Sequence, residues 1–253
     1  MKQSARKKNG YGDFGNLSKN YAKARKGFPD EAYDYIFQKI RKDHPLILDI
    51  GCGTGIASEQ LCEKGAEVSG TDIDADMIRE AKANNRYSIE YRVARAEKQP
   101  FKDRAFDAVT AFSAFHWFAN KSTLHEIKRV LKPAGLFFAV NKNETGDFKK
   151  RNKEILRRFI EETVPDIKKE YEPKRTLEEN GFVRIEEKIF SVTEYFSPKE
   201  ALGYIQTMSV WNLVPDSKKK VALENLREHF EKIAINEKVE RKLDIGVMSG
   251  ISN

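Results

Sequence analysis

At 253 residues the chain is long enough for one or two domains, and 40% apolar residues make it globular rather than disordered. Lys and Arg total 46 against 39 acidic residues, a net charge of +7. Residues 1–42 hold 11 basic and 4 acidic side chains, so this N-terminal stretch carries the whole excess and the remainder balances at 35 against 35. That distribution argues against a dedicated nucleic-acid face, which needs clustered cations to displace phosphate counterions; a solvated basic arm is the simpler reading. No apolar run approaches the roughly 18 residues of a membrane span, and no apolar segment follows the basic N-terminal residues as in a secretory signal. Two cysteines, Cys52 and Cys62, neither staple a chain of this size nor bind a structural zinc unaided. The expected compartment is the cytoplasm.

In chain order, residues 1–30 read as an N-terminal arm or lid, and Ala32, Tyr35, Ile36 and Ile40 then recur at helical spacing. After Pro45, Leu46-Ile47-Leu48-Asp49-Ile50 is an apolar run that stops at glycines, the pattern of a buried parallel strand feeding a tight turn. Helix is expected at 56–64, strand at 66–71, helix at 75–84, strands at 88–94 and 106–112, helix at 121–131 and strand at 136–141. This alternation predicts an α/β fold with a Rossmann-like, doubly wound sheet. Beyond residue 143 helices are expected at 148–163, 175–180, 198–213 and 217–235, with strands at 183–191 and 239–246. No linker composition separates these segments. The chain therefore reads as a single domain, 1–253, with a core over 31–146 and a helical cap with closing strands over 147–253.

The glycines Gly51, Gly53 and Gly55 follow the first buried strand, where doubly wound sheets bind ligands at the carboxyl ends of strands. A dinucleotide loop would place glycine at position 56, which is Ile56, and no Gly-Lys-Ser/Thr follows for a phosphate-binding loop. Asp72 ends the second strand about 20 residues beyond the glycines, the spacing at which a carboxylate accepts ribose hydroxyls. That spacing suits a nicotinamide cofactor or S-adenosylmethionine alike. Asp74 is the better candidate for a helix cap.

With these elements in order the sequence resembles the class I S-adenosylmethionine-dependent methyltransferases of the small-molecule branch. The resemblance covers residues 20–142. It rests on Asp49 through Gly55, Gly70-Thr71-Asp72, Ala96-Glu97 with Pro100-Phe101, Phe106-Asp107, and Arg129 through Gly135. Ala114-Phe115-His116-Trp117-Phe118 is similar to the segment after strand four in the trans-aconitate methyltransferase-like subgroup. Tyr21, Arg25 and Pro29 are similar to the segment that folds over the cofactor there. The resemblance implies S-adenosylmethionine as cofactor, S-adenosylhomocysteine as its product, and a small-molecule acceptor. It implies a close approach to the cofactor at Gly51, Gly53 and Gly55, an amino-group contact at Asp49, the ribose at Asp72 and adenine flanks at Ile73 and Met77. Phe112 and Ser113 would lie beside the methionyl chain, and Tyr21 and Arg25 would cover it. Arg95 stands where related enzymes often have an aspartate for the adenine amino group, which leaves Ala96 or Glu97 as partners.

A sulfonium methyl is already activated, so such an enzyme mainly holds its acceptor in line and excludes water. His116 is a candidate general base for a hydroxyl or amine acceptor, and equally a structural histidine. Trp117 is a candidate acceptor contact. Tyr204, Met208 and Trp211 share one helical face and either pack the cap or line the acceptor pocket. His44, His125 and His229 lack metal-ligand spacing, so no metal is expected. Alternatives are methylation of an acyl-carrier-protein ester or of RNA, and a protein that binds S-adenosylmethionine without catalysis.

Overall fold

The computed structural model describes residues 24–164 and 171–252. These form two compact units: 27–143, 171–190 and 244–252 make up a sheet unit, and 24–26, 144–164 and 191–243 a helical unit. Tyr21 and most of the basic arm lie outside the described residues.

Seven strands carry the sheet: β1 (Leu46–Ile50), β2 (Glu67–Asp72), β3 (Glu90–Val93), β4 (Phe106–Phe112), β5 (Leu131–Glu144), β6 (Phe182–Phe196) and β7 (Val239–Ser252), in the order β3-β2-β1-β4-β5-β7-β6. β1 runs parallel to β2 on one side and to β4 on the other. The strand order therefore reverses beside β1, at the switch point where open sheets bind ligands. Helices α1 (Asp30–Ile40), α2 (Ile56–Glu63), α3 (Ala75–Ala83) and α4 (Lys121–Val130) alternate with the strands, as the apolar spacing predicts. Ile47 and Leu48 in β1 are fully buried, as a strand covered on both faces requires. Leu124, Ile127 and Val130 of α4 pack with Val109, Phe115 and Phe137 in one apolar cluster.

Asp107, at the start of β4, ties the amino ends of the strands together. It accepts from the Lys42 and Lys132 ammonium groups (2.7 and 2.8 Å) and from the Leu46 amide (2.9 Å). Burial opposes its charge, yet the hydrogen bonds from Lys132 and Lys42 bring its carboxyl below the ordinary value. Phe106-Asp107 is thus a structural part of the family-like pattern.

Beyond β5 the sequence underestimates strand and overestimates helix. β6 runs on to Phe196 and β7 to Ser252, while the helix at residue 148 (α5, Phe148–Arg157) stops six residues short of expectation. The helix expected over 198–213 breaks into α7 (Pro198–Gln206) and a 3₁₀ turn, Ser209–Leu213. The Thr207 hydroxyl bonds back to the Tyr204 carbonyl (2.6 Å), a local bond that competes with helix continuation. Residues 171–190, with α6 (Pro173–Glu179), and 244–252 cluster with the sheet unit, because their strands belong to the seven-stranded sheet. No helix among the described residues is long and apolar enough to cross a membrane.

The helical unit gathers Phe148, Phe196, Tyr204, Met208, Trp211, Leu226 and Phe230 into its own core, with α8 (Asp216–Ile233) along it. Buried among them, the Arg241 guanidinium donates to Glu144 Oε2 and Glu194 Oε2, each at 2.9 Å, and lies 4.4 Å from the centre of the Tyr204 ring. Burial pushes the Glu144 carboxyl up from its ordinary value, against the pull of Arg241. Removing one member of a buried charge cluster leaves its partners desolvated and unpaired. Arg241→Met should therefore destabilise the protein by about 3–5 kcal/mol in urea unfolding followed by circular dichroism, and Glu194→Gln, which keeps an acceptor, by less.

Candidate functional site

The turn from β1 into α2 is held by three left-handed glycines. Gly51, Gly53 and Gly55 have φ of +72°, +54° and +86°, values that L side chains adopt only with strain. The amides of Gly51 and Cys52 both donate to the Thr71 carbonyl (2.7 and 3.0 Å), so β2 holds the start of the loop. The Gly53 amide donates to Asp72 Oδ2 and the Asp74 amide to Asp72 Oδ1, both at 2.9 Å. Asp72 thus ties the tip of the loop to the end of β2. Asp74 caps α3 by accepting from the Asp76 and Met77 amides, the role expected for it.

The three glycines meet different surroundings. A Cβ on Gly51 would lie 2.6 Å from the Ala114 side chain, so the loop packs against the segment after β4. A Cβ on Gly55 would lie 2.3 Å from the Tyr91 hydroxyl, and one on Gly70 2.6 Å from the Tyr91 ring. A Cβ on Gly53 would meet nothing within 4 Å, so Gly53 marks the open side of the loop. Tyr91 of β3 is 3% exposed and props the loop from beneath, a residue that sequence reasoning missed. A tyrosine in a strand otherwise reads as ordinary core, and only the strand order brings it under Gly55.

Asp49 is wholly buried. Ser58 Oγ donates to its Oδ2 (2.7 Å) and Thr110 Oγ1 to its Oδ1 (3.0 Å), so its carboxyl joins β1 to α2 and β4 and faces these hydroxyls. Burial pushes that carboxyl up to about 7, outweighing the two hydrogen bonds and aided by the nearby charge of Asp72. Cys52 is buried, and desolvation, then Asp72 and Asp49, push its thiol well above its ordinary value. It stays protonated near neutrality and is no nucleophile.

Ile73, 50% exposed, and buried Met77 flank the end of β2. Ala96 is buried and Glu97 half-buried beside Arg95, whose Nε lies 3.6 Å from Glu97 Oε2. Phe112 ends β4 under two other rings, Phe28 edge-on at 4.9 Å and Tyr33 stacked at 5.4 Å. Gln60 of α2 fixes Phe28 there by exchanging two hydrogen bonds with its backbone, each 3.0 Å, and also accepts from the Tyr33 hydroxyl. Neither Phe28 nor Gln60 carries a local sequence signal. Ser113 is exposed at φ +51°. His116 and Trp117 are half-buried, with the His116 ring 5.3 Å from Trp117 and 5.9 Å from Tyr171.

Asp49, Gly51, Gly53, Gly55, Asp72, Ile73, Met77, Ala96, Glu97, Phe112, Ser113, His116 and Trp117 all fall in the sheet unit. Arg25, Tyr204, Met208 and Trp211 fall in the helical unit. There the Arg25 guanidinium donates to Thr207 Oγ1, the Tyr204 hydroxyl and the Thr207 carbonyl. Tyr204, Met208 and Trp211 are 5%, 8% and 5% exposed within the apolar core of that unit. Among the described residues no group of three or more His, Cys, Asp or Glu side chains is gathered as for a metal ion.

Residues 48–139 match the family model described as a methyltransferase domain. A Dictyostelium discoideum protein named as a methyltransferase is 32% identical over 122 residues, which cover 48% of this chain and 46% of that one. The chain thus spans about half the length of the curated relatives it matches. Among solved structures, a type II methyltransferase from Anaeromyxobacter dehalogenans superposes with a TM-score of 0.67 at 21% identity, covering 90% of this chain and 97% of that one. Phosphoethanolamine N-methyltransferase 2 of Haemonchus contortus, in complex with phosphomonomethylethanolamine and S-adenosylhomocysteine, gives a TM-score of 0.53 at 16% identity, covering 94% and 57%.

The Asp49 geometry sets a pH dependence. The unfolded carboxyl titrates near its ordinary 3.8 and the folded one near 7. Between those values the folded state holds a proton that the unfolded state lacks. Stability therefore falls as pH rises from about 4 to about 7, by at most about 1.4 kcal/mol per pH unit. Asp49→Asn cannot ionise, so urea unfolding at about pH 5 and about pH 8 should show the variant gaining on the wild type as pH rises. At the loop, Gly53→Ala should destabilise by about 1 kcal/mol through its backbone conformation alone. Gly55→Ala, which also meets Tyr91, should cost clearly more in the same assay.

Proposed function

We propose, from the premise that residues 48–139 form a class I S-adenosylmethionine-dependent methyltransferase domain, that this protein transfers a methyl group to a small-molecule acceptor by in-line displacement. The observation that carries the reading is the loop itself, open at Gly53 and tied there to the Asp72 carboxylate. Those features suit the cofactor: a backbone with no side chain in the way, a carboxylate for the ribose hydroxyls, and exposed Ile73 as an apolar surface for a base. A dinucleotide loop would need glycine where Ile56 stands.

Bound S-adenosylmethionine supplies a sulfonium methyl that is already electrophilic. The chain's own residues then have two tasks. Gly51, Gly53 and Gly55 with Asp72 hold the cofactor, Ile73 and Met77 flank its adenine, and Ala96 or Glu97 meets the adenine amino group. Phe112 and Ser113 lie along the methionyl side, and Phe112 is shielded from water by Phe28 and Tyr33. Asp49, bound to Ser58 and Thr110, acts on the cofactor's amino group through the loop it anchors. The second task is to hold the acceptor in line while the S–CH₃ bond breaks and the bond to the acceptor atom forms. His116 takes the proton of a hydroxyl or amine acceptor, and Trp117 packs against the acceptor. Both are half-buried, whereas Tyr204, Met208 and Trp211 are enclosed in the helical unit's core. The proposal therefore rests acceptor contact on His116 and Trp117. The trans-aconitate methyltransferase-like branch is supported by the sequence of residues 114–118 and by Tyr21, Arg25 and Pro29. A small-molecule acceptor accords with the small phosphorylated amine bound by the Haemonchus enzyme.

Calorimetric titration with S-adenosylhomocysteine should show saturable binding, lost by at least about tenfold in Asp72→Ala, a change worth about 1.4 kcal/mol or more. Release of S-adenosylhomocysteine from S-adenosylmethionine in the presence of an acceptor separates an enzyme from a mere binder. Preference for NAD, or no saturable binding, would sink the proposal.

A further inference from the structure

A hollow of about 540 Å³ lies along α4 in the sheet unit and shares no residue with the glycine loop. Its volume is within the range of small-molecule sites. Its two carboxylates are already neutralised: Asp103 by Arg129 at 2.6 Å and Glu179 by Arg175 at 2.7 Å. Three further cations line it, Arg104, Lys121 and Lys128, and none has a carboxylate partner among the described residues. The Lys128 ammonium lies 3.4 Å from the carbonyls of Asn180 and Gly181 and 5.8 Å from the centre of the Phe182 ring, neutral partners that leave its net charge in place. His125 sits between Lys121 and Lys128 on the same helix and adds a ring nitrogen donor to the wall.

The backbone that carries Arg104 is held in place. Arg104 adopts φ +53° at the head of β4, a left-handed conformation that is strained for arginine. Its amide is fixed to the Arg129 carbonyl (2.9 Å). The Arg129 guanidinium in turn clamps the Phe101 and Gln99 carbonyls (2.9 and 3.1 Å) and Glu126. A pinned turn thus carries Arg104 to the hollow that the lysines of α4 also line. Guanidinium and ammonium groups around a hollow are the donor set that phosphate oxygens take.

We infer that this hollow binds a phosphate-rich small molecule, either inorganic oligophosphate or the oligophosphate tail of a nucleotide. Three uncompensated cations match such a tail better than they match one monoanion. Neither S-adenosylmethionine nor its product carries phosphate, so the ligand is distinct from the proposed cofactor and the inference stands apart from the proposed function.

The test is calorimetric titration of the full chain with inorganic triphosphate at about 0.15 M ionic strength, where exposed charges interact only within about 8 Å. Saturable one-to-one binding is expected, weakened roughly tenfold or more by Arg104→Glu and by Lys121→Glu. S-adenosylhomocysteine affinity should be unchanged in both variants. Both side chains are exposed, and an unaltered melting temperature will verify that each variant folds. Equal affinity for ATP and triphosphate would assign binding to the tail, and tighter ATP binding would add a nucleoside contact; AMP and phosphate should bind weakly. Absence of saturable binding, full affinity in Arg104→Glu, or competition by S-adenosylhomocysteine would each overturn the inference. So would binding of a short RNA with no binding of triphosphate.

Discussion

The loop after β1 has almost no side chains of its own to hold it, so its shape depends on hydrogen bonds from the neighbouring strand. The Thr71 carbonyl takes two amides and the Asp72 carboxylate a third, and this pins three left-handed glycines in a conformation an isolated peptide would not keep. The parallel pairing of β1 with β2, Ile50 opposite Thr71, puts that carbonyl within reach. Everything else about the site is arranged around a loop already fixed from the side.

Support also comes from below. Tyr91 fills the space that glycine leaves at positions 55 and 70, so at these two positions of the family-like pattern packing alone already excludes a side chain. Gly53 is the one with open space. A glycine pattern that reads as a single unit in the sequence therefore divides into positions with different physical reasons, one beside open space and two accommodating neighbouring side chains. The same division separates the acids. Asp49 precedes the loop in β1 and Asp72 reaches its tip from the end of β2, and burial sets Asp49 apart as a carboxyl titrating near neutrality. Asp72 is half-buried, with one oxygen taken by the Gly53 amide of the loop and the other by the Asp74 amide at the head of α3.

Charge in this protein does more structural than long-range work. Asp107 gathers Lys42 and Lys132 at the foot of the strands, and Arg241 joins Glu144 and Glu194 inside the helical unit. A buried ionic cluster such as that of Arg241 fixes a particular arrangement more than it adds net stability. Against that background the unpaired cations around α4 stand out, since nearby acids are already engaged with other partners.

Most of the α/β core was legible in the sequence because buried parallel strands and amphipathic helices have different apolar periods, and residues 46–141 alternate between them cleanly. The glycine spacing and Asp72 were legible for the same local reason: a strand, a turn and an acid at a set distance. The later segments were not. β5, β6 and β7 are long strands with many exposed or charged positions, and their length comes from pairing with each other, which no local window contains. Tyr91 beneath Gly55, Ser58 and Thr110 on Asp49, and Gln60 on Phe28 are likewise contacts between residues 9 to 61 positions apart, or between strands not adjacent in sequence. The sequence by itself determined the order of elements and the residue types at the loop. Tertiary structure decided which of those residues face open space and which are consumed in holding the loop, because burial and strand neighbours are properties of the whole sheet.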